Sequence, residues 1–139
     1  MRLGNTTKYA FEALAYLIRS YARDERAQIG DIAATCDIPR KYLEQVLLDL
    51  KSSGLLESKK GQGGGYRLSR SPDQISIAEV LTAIGGELLP LPDWIEQDNS
   101  NFSTDSGLKD VVSRARDTVR RLFEETSIEV LVCRPESWV

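Results

Sequence analysis

The fold is decided by residues 38–68, which read IPRKYLEQVLLDLKSSGLLESKKGQGGGYRL. A proline suited to a helix start, apolar residues at three- and four-residue spacing and a closing Gly54 predict a helix over residues 39–53. The residues that follow predict two short strands around a glycine-rich turn at residues 61–65. A helix that leads directly into a small hairpin is therefore the central unit of the chain.

Two helices are predicted before this unit. Apolar positions recur at helical spacing from Thr6 to Tyr21, ahead of a charged loop at residues 23–26, and a short helix is expected over residues 30–36. Two helices joined by a short turn, the second with a polar N-terminal end, are typical of a helix-turn-helix, and the hairpin makes it winged. We predict a mainly α fold with a small β-wing, in which residues 1–86 form a winged helix-turn-helix domain.

The C-terminal half adds a second amphipathic element. Ser76-Ile77-Ala78-Glu79 has the pattern of a capping box, so a fourth helix is expected to run as far as residues 85–86. Residues 87–105 are predicted to be a loop, and residues 106–139 a long dimerisation helix with a C-terminal tail. The alternative is that this helix folds back on its own domain. The apolar residues expected to pair two subunits are Leu108, Val111, Val112, Ala115, Val119, Leu122 and Phe123.

The net charge of −3 conceals an asymmetry along the chain. Residues 1–70 carry 12 Lys and Arg against 8 Asp and Glu, whereas residues 71–139 carry 6 against 13. A basic front and an acidic back would orient the molecule on a polyanion despite its low overall pI. The acidity of the whole chain therefore does not exclude a nucleic-acid partner.

The first turn of the predicted third helix carries side chains that suit base recognition. Arg40 matches guanine, Gln45 matches adenine, and Glu44 can accept a hydrogen bond from cytosine. Tyr42 supplies either a phosphate contact or core packing. The alternative is an ordinary solvated helix face, but the neighbouring wing favours DNA recognition.

The wing combines positive charge with close backbone access. Lys59 and Lys60 precede four glycines within residues 61–65, so the backbone can approach a groove closely while the ammonium groups meet phosphate. The alternatives are a plain glycine-rich hairpin and a nucleotide-phosphate loop. Neither G-x-G-x-x-G nor G-x-x-x-x-G-K-[ST] fits the stretch, which disfavours the phosphate loop.

The reactive side chains argue against an enzyme. The chain has no histidine, which excludes histidine-based triads and histidine metal sites. Cys36 and Cys133 fit no disulfide framework or paired metal spacing, and they are expected to be small buried hydrophobes in a reducing cytosol. A redox enzyme would instead require one of these thiols to have a depressed pKa. No signal core or membrane span is evident, so a cytoplasmic protein is expected.

The motifs of residues 38–45, 50–55 and 58–68 together resemble the bacterial Rrf2 family of winged helix-turn-helix regulators, and the similarity extends from Thr7 to Gly86. The resemblance implies homodimers that cross through the long C-terminal helix. It places recognition helices in successive major grooves, and wings in the minor groove, of a near-palindromic operator. We therefore expect a sequence-specific transcriptional regulator, and specifically a repressor. The alternative is a winged-helix module that binds a protein partner.

The expected contacts with double-stranded DNA come from the first helix, the recognition helix and the wing. They are Lys8, Arg40, Lys41, Tyr42, Glu44, Gln45, Ser58, Lys59, Lys60, Gly61 and Gln62. The family more often has arginine at the position of Lys60, and a lysine there is less suited to tight minor-groove recognition.

The segment after the fourth helix differs from that of family members that bind an iron–sulfur cluster. Those relatives place three cysteines and a further ligand after the fourth helix, whereas residues 87–106 here contain no cysteine and no histidine. No iron–sulfur cluster and no other cofactor is therefore expected. A hard cation on the acidic residues of this segment is the alternative to a solvated loop. The effector candidates are a small molecule, a protein partner or oxidation of a cysteine.

Overall fold

The computed structural model describes residues 4–85 and 107–133 of the chain. The helices are α1 (Asn5–Ala22), α2 (Ile29–Cys36), α3 (Arg40–Ser52), α4 (Ile77–Ala83) and α5 (Leu108–Glu125), the strands are β1 (Leu56–Lys59) and β2 (Gly65–Leu68), and short 3-10 helices cover Pro72–Gln74 and Ile128–Leu131. The predicted fold, mainly helical with a small β-wing and a long C-terminal helix, is confirmed. The predicted loop at residues 87–105 lies outside the described residues.

The core forms where α1, α2 and α3 pack together, because each helix buries the apolar stripe that its sequence predicts. From α3 the buried residues are Leu43, Val46, Leu47 and Leu50, and α1 and α2 supply Ala10, Ala13, Leu14, Leu17, Ile18 and Ile32. Burying a side chain of leucine size contributes about 1.5–3 kcal/mol. The stripe therefore fixes which side of α3 faces inward and leaves its polar N-terminal turn in solvent.

The turn between α2 and α3 sets the direction of α3. Asp37 adopts a left-handed conformation with φ of 52°, and the backbone N–H of Ile38 donates to the carbonyl of Ala33 at 3.1 Å. Such a residue reverses the chain at a helix end. Ile38 is buried, so it anchors the turn in the core.

The wing is held on the helical domain by a third strand-like segment. β1 and β2 pair antiparallel, from Leu56 opposite Leu68 to Lys59 opposite Gly65. Outside this hairpin, Ala27 and Tyr66 exchange two backbone hydrogen bonds of 2.8 Å and 2.7 Å. Ala27, two residues before the first residue of α2, thus extends the sheet, which the sequence did not predict.

The capping box of α4 forms as predicted. The Glu79 backbone N–H donates to Ser76 Oγ at 3.1 Å, and the Ser76 backbone N–H donates to Glu79 Oε2 at 2.9 Å. Burial alone would raise the pKa of Glu79, but the hydrogen bonds from Ser76 and from Arg70 Nη2 at 2.8 Å outweigh it and hold that pKa below its usual value. The box therefore stabilises an ionised Glu79.

The end of α5 is joined to the helical domain. Ile77 N–H donates to the carbonyl of Thr126, and Ile128 N–H donates to the carbonyl of Ile75, both at 2.9 Å. Ile128 is fully buried in the core. The chain after α5 thus packs on the helical domain. Within residues 4–85 and 107–133, none of the helices has the length and apolar character to cross a membrane.

Candidate nucleic-acid interface

The first turns of α3 present five predicted DNA-contacting side chains to solvent. Arg40, Lys41, Tyr42, Glu44 and Gln45 are exposed, while their neighbour Leu43 is completely buried. The helical repeat explains this separation, because the stripe that enters the core starts at position 43. The structure therefore leaves one polar surface at the start of the predicted recognition helix.

Three of these side chains are engaged in weak local pairs. Arg40 Nε lies 3.4 Å from Glu44 Oε1, and Gln45 Nε2 donates to Asp49 Oδ1 at 2.8 Å. Exposed pairs four residues apart on a helix contribute only about 0.3–0.5 kcal/mol. Exchanging them for base edges would therefore cost little.

Tyr42 contacts α1 and does not enter the core. Its ring lies against that of Tyr9, with centroids 6.0 Å apart, and 55% of Tyr42 remains exposed. This contact brings the first turn of α1 next to the start of α3. Lys8, also exposed and paired with Glu12 at 3.6 Å, precedes Tyr9 in that turn. Tyr9 is not predictable as part of this surface from the sequence, because its helical spacing also fits a core residue.

The wing carries the second predicted group of contacts. Ser58, Lys59, Lys60, Gly61 and Gln62 are all exposed. Within residues 4–85 and 107–133, neither lysine of the wing forms an ion pair. Both ammonium groups can therefore approach an anion without first releasing a carboxylate of the described chain.

The tip of the wing is compact. Gly64 N–H donates to the carbonyl of Gly61 at 3.0 Å, and a Cβ added at Gly64 would lie 2.3 Å from the carbonyl oxygen of Lys59. The turn thus has no room for a side chain at residue 64. The side chain of Gln28 reaches this turn from outside the wing and donates from Nε2 to the carbonyl of Gly64 at 2.7 Å.

The base of the wing is fixed to the end of α1 by Arg67. Its Nη1 lies 2.9 Å from Asp24 Oδ1, and its guanidinium carbon lies 5.1 Å from the ring centre of Tyr21. Guanidinium groups stack favourably on aromatic faces. Arg67 is therefore engaged at the base of the wing, and we assign it a structural role.

The helix α5 leaves its apolar stripe largely in solvent. None of its residues is fully buried, and Leu108, Val111 and Leu122 are 40%, 63% and 55% exposed. Phe123 differs from the other residues predicted for dimerisation, because it packs against the core of its own chain. The described part of the chain therefore accounts for one end of the stripe and leaves the rest uncovered.

The environment of Cys36 does not activate its thiol. Cys36 is half-buried and donates to the carbonyl of Glu12 at 3.6 Å. Burial raises its pKa, Glu12 raises it further, and Arg19 only partly opposes them. A catalytic thiol requires the opposite shift.

The fold and the exposed surfaces of α3 and the wing define a winged helix-turn-helix protein. Residues 3–134 match the model of the Rrf2 family, which is described as an iron-dependent transcriptional regulator. The chain belongs to the Rrf2 family. It is thus a transcriptional regulator and not an enzyme, and the resemblance found in the sequence is confirmed.

Relatives and solved structures agree with this assignment. The HTH-type transcriptional regulator IscR of Cereibacter sphaeroides is 30% identical over 135 residues, which cover 95% of this chain and 80% of that protein. An rrf2-like HTH-type regulator of Rhodobacter capsulatus is 39% identical over 87 residues, 61% of this chain but only 58% of the relative. The structure of CymR of Bacillus subtilis superposes with a TM-score of 0.78 at 23% identity, over 100% of this chain and 98% of CymR, which supports the fold.

The family description names iron, but the side chains present do not fit an iron–sulfur cluster. The chain contains two cysteines and no histidine. Cys36 is half-buried in α2, whereas Cys133 is exposed beyond the last 3-10 helix, so the expectation that both are buried is wrong for Cys133. Residues 4–85 and 107–133 bring together no group of three or more His, Cys, Asp or Glu side chains placed to hold a metal. Thiolate ligation of a cluster within one subunit thus lacks ligands.

Proposed function

We propose that this regulator is a homodimeric repressor that reads a near-palindromic operator with α3 in the major groove and the wing in the minor groove. The observation that carries the proposal is the pairing of an exposed polar helix start with a narrow glycine-rich wing whose two lysines have no carboxylate partner in the described chain. Repression requires only that a bound dimer occupies a promoter. The proposed site of action is the bacterial cytoplasm.

The proposed roles in α3 follow from side-chain chemistry. Arg40 can donate two parallel hydrogen bonds to guanine once it leaves Glu44, and Gln45 can pair with adenine. Lys41 and Lys8 flank this surface as phosphate contacts, and Tyr42 can donate its hydroxyl to a phosphate. The α3 residues would supply sequence preference, and the flanking groups would fix the position of the protein on the DNA.

The wing has a different proposed role. Lys59 and Lys60 neutralise phosphates, while the glycine turn brings the backbone near the minor groove. A phosphate contact weakens binding evenly across sequences when it is removed. The wing would therefore contribute affinity more than sequence preference.

The proposed homodimer follows from the exposed stripe of α5. A second copy of α5 can cover Leu108, Val111 and Leu122, whose apolar surface is left exposed by residues 4–85 and 107–133. A two-fold dimer places equivalent recognition helices on half-sites one helical turn apart, about 34–36 Å. Size-exclusion chromatography with light scattering tests this step. Val111→Glu should yield monomers, whereas Arg121→Glu, on the polar side of the same helix, should remain dimeric.

We also propose that the protein acts without an iron–sulfur cluster, because of its donor set. The test is anaerobic purification followed by visible spectroscopy and assays of iron and sulfide. Protein without a visible absorption band and without stoichiometric iron is expected. A reproducible band with stoichiometric iron and sulfide would refute this part of the proposal.

The DNA-binding test is selection of sheared genomic fragments by the purified protein at two salt concentrations, with sequencing of the retained DNA. A near-palindrome with half-sites one turn apart is expected. Arg40→Ala should then weaken binding to that sequence by about 1–3 kcal/mol and relax preference at one base pair.

A matched control for Arg40→Ala exists in the chain. Arg23→Ala also removes an exposed arginine paired with a glutamate, at 3.3 Å from Glu25, but it lies in the loop after α1. Arg23→Ala should bind like the parent. Equal affinity of the Arg40 and Arg23 variants for the selected operator would refute the assignment of α3, and failure to enrich any DNA would favour a protein-binding module.

A further inference from the structure

The wing tip is held by a side chain from outside the wing. Gln28 Nε2 donates to the carbonyl of Gly64 at 2.7 Å, across 36 positions of sequence. Gln28 occupies the N-cap position of α2, yet its side chain makes no capping hydrogen bond there. Ser, Thr, Asp and Asn are the residues that cap a helix in this position. The amide of Gln28 is thus directed to the wing, and α2 begins without a side-chain cap.

This contact lies closer to the wing tip than the backbone bridge between Ala27 and Tyr66. Tyr66 pairs with Ser58 inside the hairpin and exchanges two hydrogen bonds with Ala27, and Gly64 lies two residues closer to the tip. Gly64 in turn donates to Gly61, the residue after Lys60. A continuous set of hydrogen bonds therefore runs from the start of α2 to the lysine-bearing end of the wing.

A glycine-rich loop needs such a restraint more than most loops. Four of residues 61–65 are glycine, and glycine loses more backbone freedom on ordering than any other residue. Ordering the tip only when DNA binds would reduce affinity, whereas a tip already held in place avoids much of that loss. The residue that holds it also begins α2, which a short turn connects to α3.

We propose that Gln28 is a positioning residue that fixes the wing tip relative to the recognition helix, so that both reach their grooves together. The inference rests on the proposed DNA-binding function. Gln28 need not touch DNA for this role. Its effect passes through Gly64 to the position of Lys60.

The test uses Gln28→Met, which keeps the side-chain length and removes the donor, and Gln28→Glu, which places a carboxylate against the Gly64 carbonyl. Loss of one neutral hydrogen bond corresponds to about a 3- to 10-fold weaker affinity for the selected operator. Gln28→Glu should lose at least as much. The control is Gln74→Met, which removes an exposed amide donor to Asp73 at 3.1 Å and should bind like the parent.

Double-mutant cycles separate positioning from general damage to the fold. The losses of Gln28→Met and Lys60→Ala should combine less than additively, because both act through the wing. The losses of Gln28→Met and Arg40→Ala should add. Without DNA, amide hydrogen exchange in residues 59–66 should be faster in Gln28→Met than in Gln74→Met, with α1 and α3 still protected.

The outcomes distinguish this inference from the proposed function. If the parent binds its operator and Arg40→Ala weakens it while Gln28→Met binds and exchanges like the parent, the positioning role is wrong and the regulator assignment stands. Strict additivity of the Gln28 and Lys60 losses would also overturn it. If the parent selects no DNA, the proposed function fails and the inference fails with it.

Discussion

Gly65→Ala tests whether the wing is attached to the helical domain as described. Gly65 has φ of 125°, and an added Cβ would lie 2.5 Å from the carbonyl oxygen of Ala27 and 2.8 Å from its carbonyl carbon. Both contacts are with backbone, which cannot rotate away as a side chain can. Relief requires the wing to move off residue 27.

The expected loss of stability in Gly65→Ala has two contributions. Holding alanine in this backbone region costs about 1–3 kcal/mol. Moving the wing disrupts the two hydrogen bonds between Ala27 and Tyr66, each contributing about 0.5–1.5 kcal/mol. We expect Gly65→Ala to lower the free energy of unfolding by about 2–6 kcal/mol, a large part of the total for a domain of this size.

Two other glycines are matched controls, because a Cβ at either would meet no atom within 4 Å. Gly54 has φ of 79°, so Gly54→Ala should cost only the backbone term of about 1–2 kcal/mol. Gly30 lies inside α2, where alanine should stabilise by about 0.5–1 kcal/mol.

Urea denaturation followed by circular dichroism measures all three variants. The midpoints should rank Gly30→Ala above the parent, then Gly54→Ala, then Gly65→Ala, with similar slopes. If Gly65→Ala is as stable as Gly54→Ala, the close approach of Ala27 to the wing is not present in the molecule.

Three further predictions concern single side chains. Glu79→Gln should be less stable than the parent at pH 7, and the difference should shrink as the pH falls through and below about 4.5, because a depressed carboxyl pKa stabilises the fold only while the group is ionised; urea midpoints from pH 7 to 3 measure this, and a constant difference would contradict it. Cys36 should react with iodoacetamide more slowly than the exposed Cys133, since burial raises its pKa, and peptide mass spectrometry would show the opposite order if the thiol were activated. Asp37→Gly should raise the free energy of unfolding by about 0.5–1 kcal/mol, because glycine suits the left-handed conformation, and a lower urea midpoint would argue against that backbone geometry.

Local sequence signals predicted most of the fold. The bounds of α3 differ from the prediction by one residue at each end, and the Ser76 capping box forms as its spacing indicated. Periodicity and capping act within a few residues, so they are visible in the sequence. The bridge from Ala27 to Tyr66 and the burial of Ile128 were not predictable in this way, because they depend on segments far apart in the chain.

The candidate site shows the same difference between local signals and contacts of distant segments. Exposure of Arg40 and Gln45 follows from the helical repeat once Leu43 is assigned to the core. Tyr9 and Gln28 were missed because their partners belong to other elements. One weak indication of Gln28 is visible in the sequence, namely a glutamine where a capping residue would be usual.

The packing of α5 affects both the stability of the chain and the way in which the proposed dimer would bind DNA. Most of the stability of a helix in a protein comes from packing of its apolar face, so the 18-residue α5 depends on what covers its apolar stripe. Its C-terminal end is already fixed, because Thr126 bonds to Ile77 and the chain continues into the core at Ile128. In the proposed dimer, a second copy of α5 would cover the exposed part near Leu108 and Val111. Since each α5 is joined to its own helical domain, the crossing of the two helices would set the distance between the two copies of α3, and with it the spacing of half-sites that the dimer can bind.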